Sequence, residues 1–415
     1  MTGDVTASAA ASAAEAAARR SYGKLVAILA ARTGDVAGAE DALSEAFGAA
    51  LGDWPARGVP DNAEAWLLTV ARRRLIDGVR RRVLDEDAAQ HFLLMEELAE
   101  PADANALPDR RLELLFACAH PGIDRGARAP LMLQTVLGFD AGTIASAFLV
   151  APQAMSQRLV RAKKRIHQAG IGFRVPEKSE LPDRLDAVLE AIYAAYAEGW
   201  SDAEGADPQR RNLAEEAIWL GRLVAGLMPS EPEALGLLSL MLHAHARRAA
   251  RRDEDGEYVP IAAQDPARWD APMIDEAESH LHRANALGAP GRYQIEAALQ
   301  SAHSVRRTGA QVPWNAIVGL YDALFALTAS PVTALNRIVA CAETDGPQAA
   351  LASLDKLASD DRLRDYQPYW AARAELLART GAAREARDAY SRAIGLERDP
   401  AVRRFLHRKA ESLPS

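Results

Sequence analysis

Gln153, Ser156, Gln157, Arg158 and Arg161 share one face of a helix-forming stretch, with Lys163, Lys164 and Arg165 behind them. Short polar side chains reach base edges and basic ones hold phosphates, so this pattern suits the reading of DNA. Upstream stand Ala145, small enough for two helices to cross, and the turn Leu149-Val150. Pro152 follows, tolerated in the first turn of a helix because its missing N–H would be unpaired anyway. Met155 and Leu159 point back to a core. Ala141 to Gln168 is therefore expected to form a helix-turn-helix; the alternative is an ordinary helical hairpin with a solvated basic face. Arg72, Arg73, Arg74, Arg80, Arg81 and Arg82 crowd the end of another helix. That density exceeds what solubility alone requires in an acidic chain.

The elements that position these groups are helical. Ala and Leu are abundant and aromatics are only 6% of the 415 residues, which favours helix over sheet and predicts an all-α fold. A frayed or disordered tail is expected over 1–21. A helix from Tyr22 stops near Gly34, and Asp35 caps the next, Val36 to Leu51, with Ala39, Ala42, Phe47 and Leu51 on one side. The prolines and glycines of Gly52 to Asp61 predict a loop. Asn62 then caps a helix from Ala63 to Arg82, completing a first module over 22–82. An acidic linker over 83–109, with a short helix around His91 to Leu98, leads to a second module over 110–176. After a Gly- and Pro-containing joint, 184–415 is helical, with breaks at Pro229, Pro232, Asp253 to Pro260, Gly288 to Gly291, Pro331, Gly346 and Gly381.

The net charge of -8 argues against indiscriminate coating of nucleic acid but leaves room for local basic patches. Cys118 and Cys341 form no disulfide framework or metal-ligand spacing, which fits a reducing cytosol. The N-terminus lacks a signal-peptide core and no apolar run is long enough to span a membrane. A cytoplasmic protein with no membrane partner is expected. His243 with His245, and His280 with His282, are two apart and do not face each other on a helix, so neither pair makes a metal clamp. No nucleophile elbow, phosphate-binding glycine loop or zinc signature is present. The sequence predicts no catalytic residue, no metal, no cofactor and no enzyme.

AEDALSEAF (Ala39 to Phe47), followed by GDWPARGVPDNAEAWLLTVARRRLIDGVRRR (Gly52 to Arg82), resembles domain 2 of extracytoplasmic-function sigma factors. FACAHPGI (Phe116 to Ile123), the Ala141 to Gln168 segment and RAKKRI (Arg161 to Ile166) resemble sigma domain 4. Both matches occur in order and at the expected separation. Ser44 stands where Gln is common, and Arg73 where Asn is common. The resemblance implies a factor that binds core RNA polymerase, directs it to promoter DNA and helps open the duplex there. Asp41, Ser44, Glu45 and Phe47 would dock on polymerase. Trp54, Arg57, Asn62, Trp66, Arg72, Arg73 and Arg80 would hold the minus-10 element, with Trp54 in the loop as the stacking ring and Trp66 also readable as core. Gln153, Ser156, Gln157, Arg158, Arg161 and Lys164 would read the minus-35 element. The alternative is a helix-turn-helix regulator with a sensory or partner-binding repeat domain.

YWAARAELLARTGAAREARDAYSRAIGLERDP (Tyr369 to Pro400) resembles a tetratricopeptide repeat, with Trp370, Ala374, Leu377, Gly381, Ala386, Tyr390 and Ala393 on the signature spacing. Gly346 to Leu357 is a weaker copy. AEGW (Ala197 to Trp200), RWD (Arg268 to Asp270), GRYQIEAALQSAH (Gly291 to His303) and SPVTALNRIVA (Ser330 to Ala340) resemble the C-terminal extension of one group of these sigma factors. Glu198, Trp200, Arg268, Trp269, Asp270, Tyr293 and Asn336 are expected either to line a ligand groove or to fix helix packing. The extension is expected to be a positive element that contacts a protein or ligand not identified by sequence. Truncation after Pro176 is expected to leave a soluble protein with reduced transcription.

Overall fold

The computed structural model describes residue 12 and residues 21–82, 109–148, 150–177, 179–200 and 208–414; the tail and linker expectations fall outside these, as does Leu149. Among the described residues every element is a helix, apart from an isolated bridge between Arg252 and Tyr258. The chain divides into two compact units: 1–201 with 208–217, and 202–207 with 218–415.

The first unit opens with α1 (21–33), α2 (Val36–Arg57) and α3 (Ala63–Arg82). Asp35 caps α2 through the Gly38 N–H at 3.0 Å, and Asn62 caps α3 through the Ala65 N–H at 3.0 Å, as their positions predict. The predicted end of α2 at Leu51 is corrected: the helix continues through Pro55 to Arg57. Trp54 is 2% exposed and meets Trp66 edge to face, with ring centroids 5.5 Å apart. Burying a ring of that size anchors the extra turn against the local cost of Pro55. The predicted apolar side of α2 holds at Ala39 and Ala42 and is corrected at its far end: the buried stripe runs Val36, Ala39, Glu40, Ala42, Leu43, Ala46, Ala50 and Trp54, whereas Phe47 is half-buried and Leu51 is 52% exposed.

Next come α4 (Arg111–Cys118), α5 (Arg125–Leu137), α6 (Ala141–Ala147), α7 (Pro152–Gln168) and α8 (Leu181–Trp200). Cys118 is fully buried beside Thr135 Oγ1 at 3.3 Å, and burial pushes its thiol up to about 12, so it is an inert core group. Helix α8 packs on α4 and α5 through an apolar face that includes Leu185, Val188, Leu189 and Ile192, and Arg184 Nη2 donates to the Phe116 carbonyl at 2.7 Å. The start of the C-terminal extension is thus built into the first unit, and the division falls later, within α9 (Pro208–Leu227).

The second unit continues from α9 with α10 (Pro232–Ala246), α11 (Ala271–Ala286), α12 (Arg292–Ser304) and α13 (Trp314–Thr328). It ends with α14 (Pro331–Thr344), α15 (Pro347–Leu357), α16 (Gln367–Arg379), α17 (Ala383–Leu396) and α18 (Pro400–Glu411). The predicted breaks separate these helices. Ala374, Leu377, Ala386, Tyr390 and Ala393 share one core between α16 and α17, and Gly381 takes φ +85° in the turn, where a Cβ would be strained. Successive helices pack on one another, as in a stacked array. One contact departs from that plan. The segment after α10 clasps α18: Glu257 accepts from Arg404 at 2.5 Å and Arg408 at 2.6 Å, and Tyr258 meets Phe405 edge to face.

Candidate nucleic-acid interface

Helix α7 buries Met155, Leu159, Ala162 and Ile166, one residue per turn, which turns Gln153, Ser156, Gln157, Arg161, Lys164 and Arg165 outward. Ala145 is fully buried where α6 meets α7, and the Val150 N–H closes the intervening turn on the Ala145 carbonyl at 2.9 Å. Pro152 occupies the first turn of α7, as its missing donor allows. Arg158 is half-buried, its Nη1 3.4 Å from the Gly126 carbonyl. Arg158, Arg161 and Arg165 line a recess of about 420 Å³ with Ile123, Asp124 and Ala127. Among the described residues, Arg158, Arg161, Lys164 and Arg165 form no ion pair with a carboxylate. Unpaired guanidiniums on an exposed helix are available to phosphates.

Two of the expected minus-10 residues, Trp54 and Arg72, are buried rather than open to DNA. Trp54 is a core ring and not an exposed stacking platform, because the segment carrying it is helical and not a loop. Trp66 is half-buried against it. Arg72 is 8% exposed, so it lies in the packed side of α3 rather than beside a strand. Arg57, at the end of α2, is exposed near Asp53, 3.8 Å away. Asn62 is engaged in capping. Arg73 faces solvent, Arg74 pairs with Glu45 at 3.3 Å, and the Arg80 side chain falls outside the described ones. On α2, Asp41, Ser44 and Glu45 are exposed and Phe47 is half-buried, so the polar face expected to dock on polymerase is open.

Sequence reasoning missed the contact between the two modules. Lys163 Nζ donates to Glu40 Oε2 at 2.6 Å, with the side chains only 13% and 10% exposed. Burial raises the Glu40 carboxyl above its usual range, and Lys163 opposes that shift. Gly23 on α1 lies so close to α5 that a Cβ would sit 2.2 Å from the Val136 carbonyl oxygen. A signal did exist: Glu40 falls on the buried helical stripe with Val36, Ala39 and Leu43. Its partner lies 123 residues away, beyond any local pattern.

Of the residues considered for a ligand groove, Arg268, Trp269, Asp270 and Tyr293 hold packing together in the second unit, whereas Asn336 is exposed there and Glu198 and Trp200 belong to the first unit. Trp269 is 4% exposed, with Arg247 and Arg306 over its ring at 6.0 and 5.7 Å. Asp270 caps α11 through the Met273 N–H at 3.0 Å, and Arg268 donates to the Ala249 carbonyl at 2.8 Å. Tyr293 is 5% exposed, and its N–H donates to Glu233 at 2.8 Å. Of the paired histidines, His243 is buried with Nδ1 3.3 Å from Ser304 Oγ and Nε2 3.5 Å from Glu278 Oε1. Burial, then Arg247 and Arg307, lowers it to about 3, so it is neutral at pH 7. Among the described residues no helix is long and apolar enough to cross a membrane.

Two families match parts of the chain. Residues 18–83 match Sigma-70 region 2, and residues 184–285 match a family of unknown function, DUF6596. The chain is 39% identical over 381 residues to "Uncharacterized protein R00370" of Rhizobium meliloti (strain 1021), which covers 90% of this chain and 90% of that protein. No solved structure matches. The chain belongs to one family with that Rhizobium meliloti protein, and its residues 18–83 carry a match to Sigma-70 region 2, which supports a sigma-like role in transcription initiation.

Proposed function

We propose that the chain is an extracytoplasmic-function sigma factor with a tetratricopeptide-like extension, and that it binds core RNA polymerase, selects promoters and helps open them. The observation that carries this reading is the pairing, within one compact unit, of a sigma-70 region 2 with the cation-rich outer face of α7. The exposed Asp41, Ser44 and Glu45 face of α2 would dock on a basic helical partner, as charge complementarity favours. The segment from α6 to α7 would act as a helix-turn-helix on the minus-35 element, with Gln153, Ser156, Gln157 and Arg158 toward base edges and Arg161 and Lys164 toward phosphates. Minus-10 contact would rest on Arg57, Arg73 and Arg80 rather than on Trp54. The extension would contribute by protein contact, without chemistry of its own.

The test is gel filtration of the full chain with purified core polymerase. Co-elution at stoichiometric ratio is expected. A chain that binds promoter fragments alone and ignores polymerase would instead be a helix-turn-helix regulator with a partner-binding repeat domain.

A further inference from the structure

The end of α7 carries a second recess, which shares Arg165 with the first. It has a volume of about 350 Å³ and lies between the turn at His120 and Gly122, the joint Gly170 to Arg174 and the start of α8. Three guanidiniums, Arg165, Arg174 and Arg184, line it against one carboxylate, Glu180. Glu180 is taken by Arg174 at 2.8 Å. Arg165 and Arg184 make no close ion pair among the described residues, though Glu180 also attracts Arg184 at longer range. Arg184 is held in place by its bond to the Phe116 carbonyl at 2.7 Å, while its Nε is buried with no acceptor. A buried charged donor without an acceptor costs free energy, so an anion entering from outside would be favoured.

The rest of the wall agrees. Two of the last carbonyls of α7 are capped, Arg165 by the Ala169 N–H at 3.0 Å and His167 by the Gly170 N–H at 3.2 Å, which lessens the negative end of the helix dipole that the three guanidiniums must outweigh. His120 Nδ1 accepts from the Gly122 N–H at 3.0 Å, which places the proton of the neutral ring on Nε2 as a donor. Burial lowers the His120 pKa, and Arg184, Arg128 and Arg165 lower it further, the mark of a positive field at that ring.

We propose that this recess is an anion site for a phosphate group, held by Arg165, Arg174, Arg184 and His120. The phosphate belongs either to a phosphorylated small molecule or to the DNA backbone beside α7. Only the second source rests on the sigma reading.

The experiment follows the His120 ring by NMR in the full chain during titration with inorganic pyrophosphate. A saturable shift is expected, with the His120 titration midpoint moving upward as the anion offsets the arginines. Arg174→Gln, a substitution at an exposed side chain, is expected to weaken binding about tenfold. Glu180→Gln is expected to strengthen it, a response that a merely structural recess would not give. In parallel, the salt dependence of promoter-fragment binding is measured with core polymerase present, where each lost phosphate contact lowers the slope by about 0.9. A His120 response with an unchanged slope in Arg174→Gln assigns a small phosphorylated ligand. A reduced slope, with or without a His120 response, assigns the DNA backbone. An unmoved His120 together with an unchanged slope overturns the proposal.

Discussion

The arginines of the second unit and those of α7 are used in opposite ways. In the second unit Arg222 pairs with Glu276, Arg337 with Asp322, Arg373 with Asp355, Arg379 with Glu343 and Arg392 with Asp365. Such surface pairs contribute about 0–1 kcal/mol each, and these five guanidiniums are met by carboxylates rather than bare. Among the described residues only Lys163 on α7 is paired with a carboxylate, and that pair is buried against α2. Net charge hides this difference: a chain of -8 can still carry an unpaired basic helix. What matters for nucleic acid is where cations lack carboxylates.

The division of roles implies that the units cannot be separated at the joint after Pro176. A chain ending there loses α8 and exposes the apolar faces of α4 and α5. Buried Leu185, Val188, Leu189 and Ile192 contribute about 1.5–3 kcal/mol each, so the loss exceeds about 6 kcal/mol. The truncated chain is therefore expected to aggregate or unfold, contrary to the soluble product expected from sequence. A cooperative urea transition of native midpoint in that truncation would show α8 to be dispensable.

The second unit should be the acid-sensitive one. His243 sits near 3 in the folded chain, below the ordinary value of about 6.5, and His303 near 4 by burial and the neighbouring Arg247 and Arg306. The unfolded chain binds protons that the folded chain refuses. Stability is therefore full above about pH 6.5 and falls as the pH drops toward 3, by about 4 kcal/mol for His243 alone. His243→Gln should flatten much of that slope in urea titrations between pH 7 and pH 4. An unchanged slope would mean that His243 is protonated, with Glu278 as its partner.

The first unit should respond to its internal ion pair. Lys163→Met leaves Glu40 buried without its cation, at a cost of about 3 kcal/mol. Adding Glu40→Gln should recover part of this. Equal melting curves for the single variant and the parent would indicate that the two modules do not depend on this contact.

How far these features can be read from sequence depends on whether their cause is local. Capping by Asp35 and Asn62, the α7 face, the helix start at Pro152 and the breaks at Pro232 and Pro331 follow from neighbouring residues, and the structure has them. The final turn of α2 did not follow, because Gly52, Pro55 and Gly58 signal a loop while the packing of Trp54 on Trp66 holds a helix. Arg72 looked available for the same reason: its cluster is visible in sequence, but the side of α3 it faces is decided by tertiary packing. The Glu40–Lys163 and Glu257–Arg404 contacts join distant parts of the chain, and no spacing rule reports them.

Smaller effects fall on the outer faces. Arg158→Ala should cost about 1–3 kcal/mol on promoters whose minus-35 base it reads and little elsewhere, measured by competition binding of the polymerase complex. Uniform loss across promoters would assign it to phosphate instead. Asp41→Lys with Glu45→Lys should weaken polymerase binding by about 1 kcal/mol without unfolding, since both are exposed. Glu45→Lys also frees Arg74 from its partner, so Glu45→Gln serves as the control for that loss.

The central claim is tested most directly by run-off transcription with purified core polymerase on fragments of genomic DNA, with and without the full chain. Discrete start sites are expected that appear only with the chain present and that weaken in Arg158→Ala. Transcription that is identical with and without the chain, despite intact folding and binding of DNA by the chain alone, would contradict that claim.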